Sequence, residues 1–115
     1  MEVKEVLLNP IFTHHIYEYE KGLRNLILFT SVIDDLPKLV KKLEERSIDY
    51  HVQHVNKRKI NLFFGSSNSI KVIKSIDKER LIDYSPEEDF ILGIMLGYDR
   101  DQQCKRYLER VGGEV

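Results

Sequence analysis

Between Ser85 and Val111 the chain reads SPEEDFILGIMLGYDRDQQCKRYLERV, and this stretch leaves the fewest choices of structure. Ser85 is a helix N-cap, Pro86 suits the first turn, and Glu88 stands where a capping box needs it. Phe90 to Leu96 then follows without a polar side chain. A helix apolar on every side has no face for water, so burial all round is expected. Gly93 and Gly97 are four apart, on one ridge where another backbone can come close. Asp99 with Gln102 three residues later reads as a second N-cap, which breaks the segment near Gly97-Tyr98. Beyond it Cys104, Tyr107, Leu108 and Val111 recur at helical spacing as one apolar stripe. This is the core of a small domain and carries no catalytic motif.

A chain of 115 residues with 42% hydrophobic and 32% charged residues is expected to form one soluble domain around one core. The single cysteine excludes an intramolecular disulfide and suits a reducing compartment. No apolar run approaches the ~20 residues that span a bilayer. The opening MEVKEVLLNP lacks the apolar core of a signal peptide, so a cytoplasmic protein with no membrane partner is expected. The net charge of −1 hides an asymmetry. Leu36 to Arg80 holds 11 Lys and Arg against 5 Asp and Glu, whereas the flanks hold 7 against 14. A basic middle attracts an acidic partner; the plainer alternative is a set of solvated helix faces.

In chain order, residues 1–12 are ambiguous: Val3, Val6, Leu7 and Leu8 suit a short strand or one helical turn, and Pro10 stops either. Thr13 then caps a helix to Lys21 with Gly22 at C′, its apolar set being Ile16, Tyr19 and Leu23. Leu26-Ile27-Leu28-Phe29 reads as a strand buried on both faces. Asp34 or Asp35 caps the next helix, whose inner stripe is Leu36, Leu39, Val40 and Leu43. Tyr50 to Val55 alternates, with His51, Gln53 and Val55 on one face and Tyr50, Val52 and His54 on the other. Asn56-Lys57-Arg58-Lys59 is a turn, Ile60 to Phe64 a third strand, and Ile70, Ile73 and Ile76 the inner face of a following helix.

A strand–helix–strand crossover followed by a hairpin places strands one and two parallel, with strand three between them and antiparallel to both. The expected fold is therefore α+β: a three- to four-stranded, mostly antiparallel sheet, an incomplete split β-α-β unit covered by helices and ending in helices. The first strand is too apolar for an open edge, which calls for a cover by residues 3–8 or by a second copy in a homodimer.

Three constellations bear on chemistry. Gly65, Ser66, Ser67, Asn68 and Ser69 follow a buried strand and open a helix, with Lys71 in its first turn, an arrangement that favours an anion. It lacks the Gly-Lys-Ser/Thr ending of a phosphate-binding loop, and the plain reading is strand terminator plus an N-cap at Ser67, Asn68 or Ser69. His14, His15, Tyr17 and Glu18 form a surface patch with acid–base groups. His51 and His54 face opposite sides of a strand, so neither histidine pair has the spacing of a metal site, and no cofactor or metal is expected. Cys104 on its stripe reads as a packed, inert thiol. Lys57-Arg58-Lys59 with Phe63 and Phe64 lacks the glycine-aromatic signature of an RNA-recognition sheet, so nucleic acid is not the expected partner.

Together THHIYEYEKGLRNLILFT, INLFFGS, SPEEDFILGIMLGYD and QCKRYLER resemble a family of small bacterial proteins known only as a domain of unknown function. The likeness runs from Thr13 to Arg110, with EEDFILGIMLGYD and QCKRY its most specific parts. The resemblance implies a compact α/β domain with no assigned catalytic residues, found in association with flavodoxins. The expected function is that of a non-enzymatic interaction or accessory protein for an acidic, flavodoxin-like redox partner. A small-ligand or phosphate-binding regulatory domain using Gly65 to Ser69 is the alternative. An enzyme built on His14, His15, Tyr17 and Glu18 comes third.

Overall fold

The structure, a computed structural model, describes residues 9–78 and 83–112. Its elements are α1 (Pro10–Glu20), β1 (Leu26–Val32), a 3-10 turn (Ile33–Asp35), α2 (Leu36–Glu45), β2 (Asp49–His54), β3 (Lys59–Gly65), α3 (Ser67–Ile76), α4 (Pro86–Met95) and α5 (Arg100–Val111). The fold is α+β. The sheet order is β1-β3-β2, and β3 is antiparallel to both neighbours, as the crossover and hairpin require.

Strand alternation divides β3 between two cores. Ile60, Leu62 and Phe64 face α1 and α2, where they meet Phe12, Ile16, Leu39, Leu43 and Ile48. Phe63 faces the other way and packs with Leu26, Ile70, Ile73, Tyr84, Leu92 and Leu96 from α3, α4 and their surroundings. Helices thus cover both faces, which explains why β3 is nearly all apolar. β1 behaves likewise: Ile27 and Phe29 enter the first core, Leu26 and Leu28 the second. These four apolar side chains are absorbed by the faces of the sheet and make no demand on the edge. The proposed cover at residues 3–8 lies outside the described residues.

Several local expectations are corrected. Pro10 starts α1 instead of stopping a segment, because Asn9 caps it: Asn9 Oδ1 accepts from the N–H groups of Ile11 (2.8 Å) and Phe12 (3.2 Å). Thr13 is therefore inside the helix, and the buried pair is Phe12 and Ile16. Leu23 lies past the C′ residue Gly22 and is exposed. Ser66, not Ser67, Asn68 or Ser69, caps α3.

The C-terminal helices depart further from expectation. The capping box at Ser85 and Glu88 and the Asp99 cap on Gln102 are both present. However, α4 is not buried all round; Leu92 and Gly93 are buried, while Ile91 is exposed. It lies on the outside of the second core, and α5 folds back over only one of its sides. Gly93 is the point of close approach: a Cβ there would meet Gln103 Oε1 of α5 at 2.0 Å. Gly97 has another task. With φ +83° it ends α4 in a left-handed turn, its N–H bonding Ile94 O (3.0 Å) while that of Tyr98 reaches Gly93 O (3.1 Å). Cys104 is exposed, so the packed thiol is corrected too.

Candidate functional site

The densest group of chemistry-bearing side chains lies on the second face of the sheet, at its hairpin end. The register sets Thr30 of β1 and Gln53 of β2 directly opposite Asn61 of β3. Asn61 and Gln53 are both 3% exposed, so each polar atom needs a partner. They form a relay. Thr30 Oγ1 donates to Asn61 Oδ1 (2.7 Å), and Asn61 Nδ2 donates to Gln53 Oε1 (3.0 Å). Gln53 Nε2 then donates to Asp77 Oδ1 (2.8 Å), and also lies within reach of Lys78 O and the Tyr84 hydroxyl, both at 3.2 Å.

Asp77 dictates the direction of this relay. It is the C-cap of α3, and its backbone leaves the helix in an extended conformation that turns the carboxylate over β2. His51, two residues before Gln53 on the same strand face, brings Nε2 to 2.7 Å from Asp77 Oδ2. An ionised carboxylate only accepts, so His51 Nε2 carries a proton and Gln53 presents its NH2. The Gln53 carbonyl therefore faces Asn61, whose own carbonyl faces the Thr30 hydroxyl. Tyr84 OH completes the group, 3.4 Å from Asp77 Oδ1, and burial raises its phenol above the ordinary value of 10.0.

An imidazole oriented by a carboxylate is also the arrangement of a general base. Here the resemblance ends at two groups, since no hydroxyl or thiol of the described residues bonds the remaining nitrogen of His51. Every buried side-chain nitrogen and oxygen among the described residues has a partner. The network is closed.

The sequence-predicted patch on α1 does assemble. His15 Nδ1 lies 3.0 Å from Glu18 Oε1, His14 Nε2 lies 3.7 Å from Glu18 Oε2, and Arg24 approaches the same carboxylate at 3.5 Å. The His15 hydrogen bond, with help from Arg24 and His14, lowers the Glu18 pKa below 4.5. Tyr17 stacks on His14 at 6.2 Å and carries the Lys21 ammonium over its ring. Glu18 is thus occupied from two sides. No group of three or more His, Cys, Asp or Glu among the described residues is placed to hold a metal ion.

The loop from Gly65 to Ser69 is explained locally. Gly65 has φ +152°, and a Cβ there would lie 2.1 Å from Asn25 O, so glycine is needed for backbone approach to the start of β1. Asn25 O also accepts the Ser66 N–H (2.9 Å). Ser66 Oγ accepts from Ser69 N (3.3 Å) and donates to Ser69 Oγ (2.8 Å). Lys71 stands on the exposed side of α3.

The basic middle is split by the fold. Lys41 and Lys42 stand on α2 and Lys71 and Lys74 on α3, which cover opposite faces of the sheet. Lys57, Arg58 and Lys59 cluster at the β2–β3 hairpin. Asn56 shapes that turn, its Oδ1 accepting the N–H groups of Arg58 (2.7 Å) and Lys59 (2.9 Å). Among the described residues no carboxylate lies in ion-pair range of these three cations.

Thr30, Gln53, Asn61, Asp77 and Tyr84 are the residues that sequence reasoning missed. One signal was available: Asn61 is the lone polar residue in INLFF, and a buried amide requires partners across its strand.

No helix among the described residues is long and apolar enough to cross a membrane. The comparison with curated proteins returns no match. A family model described as protein of unknown function (DUF2023) matches residues 10–110, nearly the whole described structure. The chain belongs to the DUF2023 family of proteins of unknown function.

Proposed function

We propose that this chain is a small, cytoplasmic, non-enzymatic interaction or accessory protein that receives an acidic protein on its basic β2–β3 hairpin. One observation carries the reading: where the chain's charges are spent. Glu18, Glu20, Glu88 and Asp89 are engaged by His15, Arg46, Lys78 and Arg106. Among the described residues Lys57, Arg58 and Lys59 have no such partner. Three adjacent cations are therefore gathered, without a carboxylate partner among the described residues, at one turn shaped by Asn56, although the chain as a whole is slightly acidic. Free charge on one sign of surface steers a partner of the opposite sign. The resemblance seen in the sequence makes a flavodoxin-like redox protein the acidic partner of choice.

Phosphate binding at Gly65 to Ser69 has less support, because a helix N-terminus is its sole basis and the Ser69 N–H is already taken by Ser66. Catalysis by His14, His15, Tyr17 and Glu18 is weaker still, since the Glu18 carboxylate is already held by three cations or potential cations.

Isothermal titration against a purified acidic flavodoxin-like protein tests the proposal. Binding at low ionic strength is expected, weakening at least roughly tenfold in high salt and vanishing in Lys57→Glu/Arg58→Glu/Lys59→Glu. Absence of binding at low salt, or binding indifferent to the triple reversal, contradicts it.

A further inference from the structure

We infer that the outermost row of the second sheet face, Val32, Lys59 and Val55, is the contact centre on which the acidic partner docks; this rests on the proposed function and adds an apolar half to it. The register builds the row. Val32 of β1 lies directly opposite Lys59 of β3. On the other side His54 pairs with Ile60, and one residue further the Val55 N–H donates to Lys59 O (3.0 Å). Side chains alternate along each strand, so Val32, Lys59 and Val55 share a face with Thr30, Asn61 and Gln53, one row further in.

Cover stops between these two rows. Gln53 and Asn61 are 3% exposed, with Asp77, Lys78 and Tyr84 closing over Gln53. One row out, Val32 is 47% exposed, Val55 43%, and Lys59 is exposed between them. Singly exposed apolar residues need no explanation, but these two flank a lysine whose stem is itself apolar. The row is therefore an open apolar strip across all three strands, with one ammonium at its middle.

The charges at this end of the sheet choose the occupant. Lys59 stands in the row, and Lys57 and Arg58 stand in the turn that joins it to Val55. The acids beside Val32 are Asp34 and Asp35, in a 3-10 turn that the Ile33 N–H ties to Arg58 O (2.6 Å). Asp35 faces Lys38 (3.5 Å), which leaves Asp34 as the acid of that turn with no ion pair among the described residues. Asp77, Lys78 and Asp83, around the relay, each have partners. Three unpaired cations against one unpaired acid give the strip a positive rim. A second copy docked about a two-fold axis would set these cations against their own copies. Nucleic acid would use the cations, but the row offers no aromatic ring on which a base stacks. The surface that matches both halves belongs to a protein: an apolar centre with carboxylates around it.

Isothermal titration of the full chain against the same acidic flavodoxin-like protein tests the inference through two variants. Val32→Thr/Val55→Thr keeps shape and β-branching, so its circular dichroism spectrum should be unchanged. Its affinity should fall at least roughly tenfold at every salt concentration, with a salt dependence as steep as that of wild type. Lys59→Met keeps an apolar stem, and should weaken binding at low salt alone and flatten the salt dependence. Wild-type affinity in the valine variant, with binding still abolished by Lys57→Glu/Arg58→Glu/Lys59→Glu, overturns the inference and leaves the proposed function standing. An unchanged salt dependence in Lys59→Met also overturns it. No binding by the wild-type chain overturns both. Self-association of the chain, or binding of a single-stranded oligonucleotide, that is lost in the valine variant gives the strip to another occupant and overturns the inference too.

Discussion

Two polar regions sit at the same end of the sheet and could hardly be treated more differently. On its second face, Thr30, Asn61, Gln53, His51, Asp77 and Tyr84 satisfy one another in a closed relay. At the adjoining hairpin, Lys57, Arg58 and Lys59 are held in a shaped turn, exposed and without a carboxylate partner among the described residues. Partnered polar groups in a low-dielectric setting specify structure, because each costs free energy when its partner is removed. Unpartnered charges in water contribute little to stability and remain free to meet another molecule. The histidine beside an aspartate is therefore the better-partnered of the two, and on the proposed reading the plainer hairpin is the one that meets a partner.

The sharpest test of this contrast removes charge from each region. Asp77→Ala deletes the acceptor shared by His51, Gln53 and Tyr84, and should cost about 1–3 kcal/mol in urea unfolding. Replacing Lys57, Arg58 and Lys59 by serine should stay within about 0.5 kcal/mol of wild type. Comparable losses from the two variants would erase the distinction between closed and open regions.

A smaller effect probes the relay itself. Thr30→Val strands the Asn61 carbonyl and should cost about 0.5–1.5 kcal/mol. Thr30 does not touch Gln53, yet the two act through Asn61, so Thr30→Val and Gln53→Ala should be non-additive by at least about 0.5 kcal/mol. Simple additivity would mean that the three residues are independent pairs.

The smallest effects are set by pH. Burial holds the Tyr84 phenol above 10.0, so its contribution to stability is present below pH 10.0 and is lost as pH rises through the folded-state value. Glu88 is shifted the other way, below 4.5, by the Ser85 N–H and then by Lys78. Its contribution is present above pH 4.5 and is lost as pH falls through the lowered value. Tyr84→Phe should flatten the alkaline arm of a stability profile, and Glu88→Gln the acid arm. Profiles that keep both slopes in these variants would assign them to other groups.

Much of the scaffold could be read from residues. A strand–helix–strand crossover and a four-residue turn, with β3 the most apolar of the three strands, were enough to place it between β1 and β2. Ser85, Glu88 and Asp99 announced their caps because those bonds are local. Burial of α4 was misread because composition reports how apolar a helix is, not how many neighbours cover it. The polar relay escaped notice for a related reason. Asp77 and Tyr84 are distant in sequence from His51 and Gln53, and only the packing of α3 against β2 brings them together. Alternation had put His51 and Gln53 on one face, but nothing in a single strand says what lies above it.

On the proposed reading the closed network holds the fold while the cationic hairpin meets the partner. Titrating isotope-labelled protein with an acidic flavodoxin-like protein, and following backbone amide shifts, tests both halves at once. Salt-sensitive shifts centred on Asn56, Lys57, Arg58 and Lys59 are expected, with His51, Gln53, Asn61 and Tyr84 unmoved. Shifts concentrated on His51, Asp77 and Tyr84, with the hairpin amides silent, would contradict it.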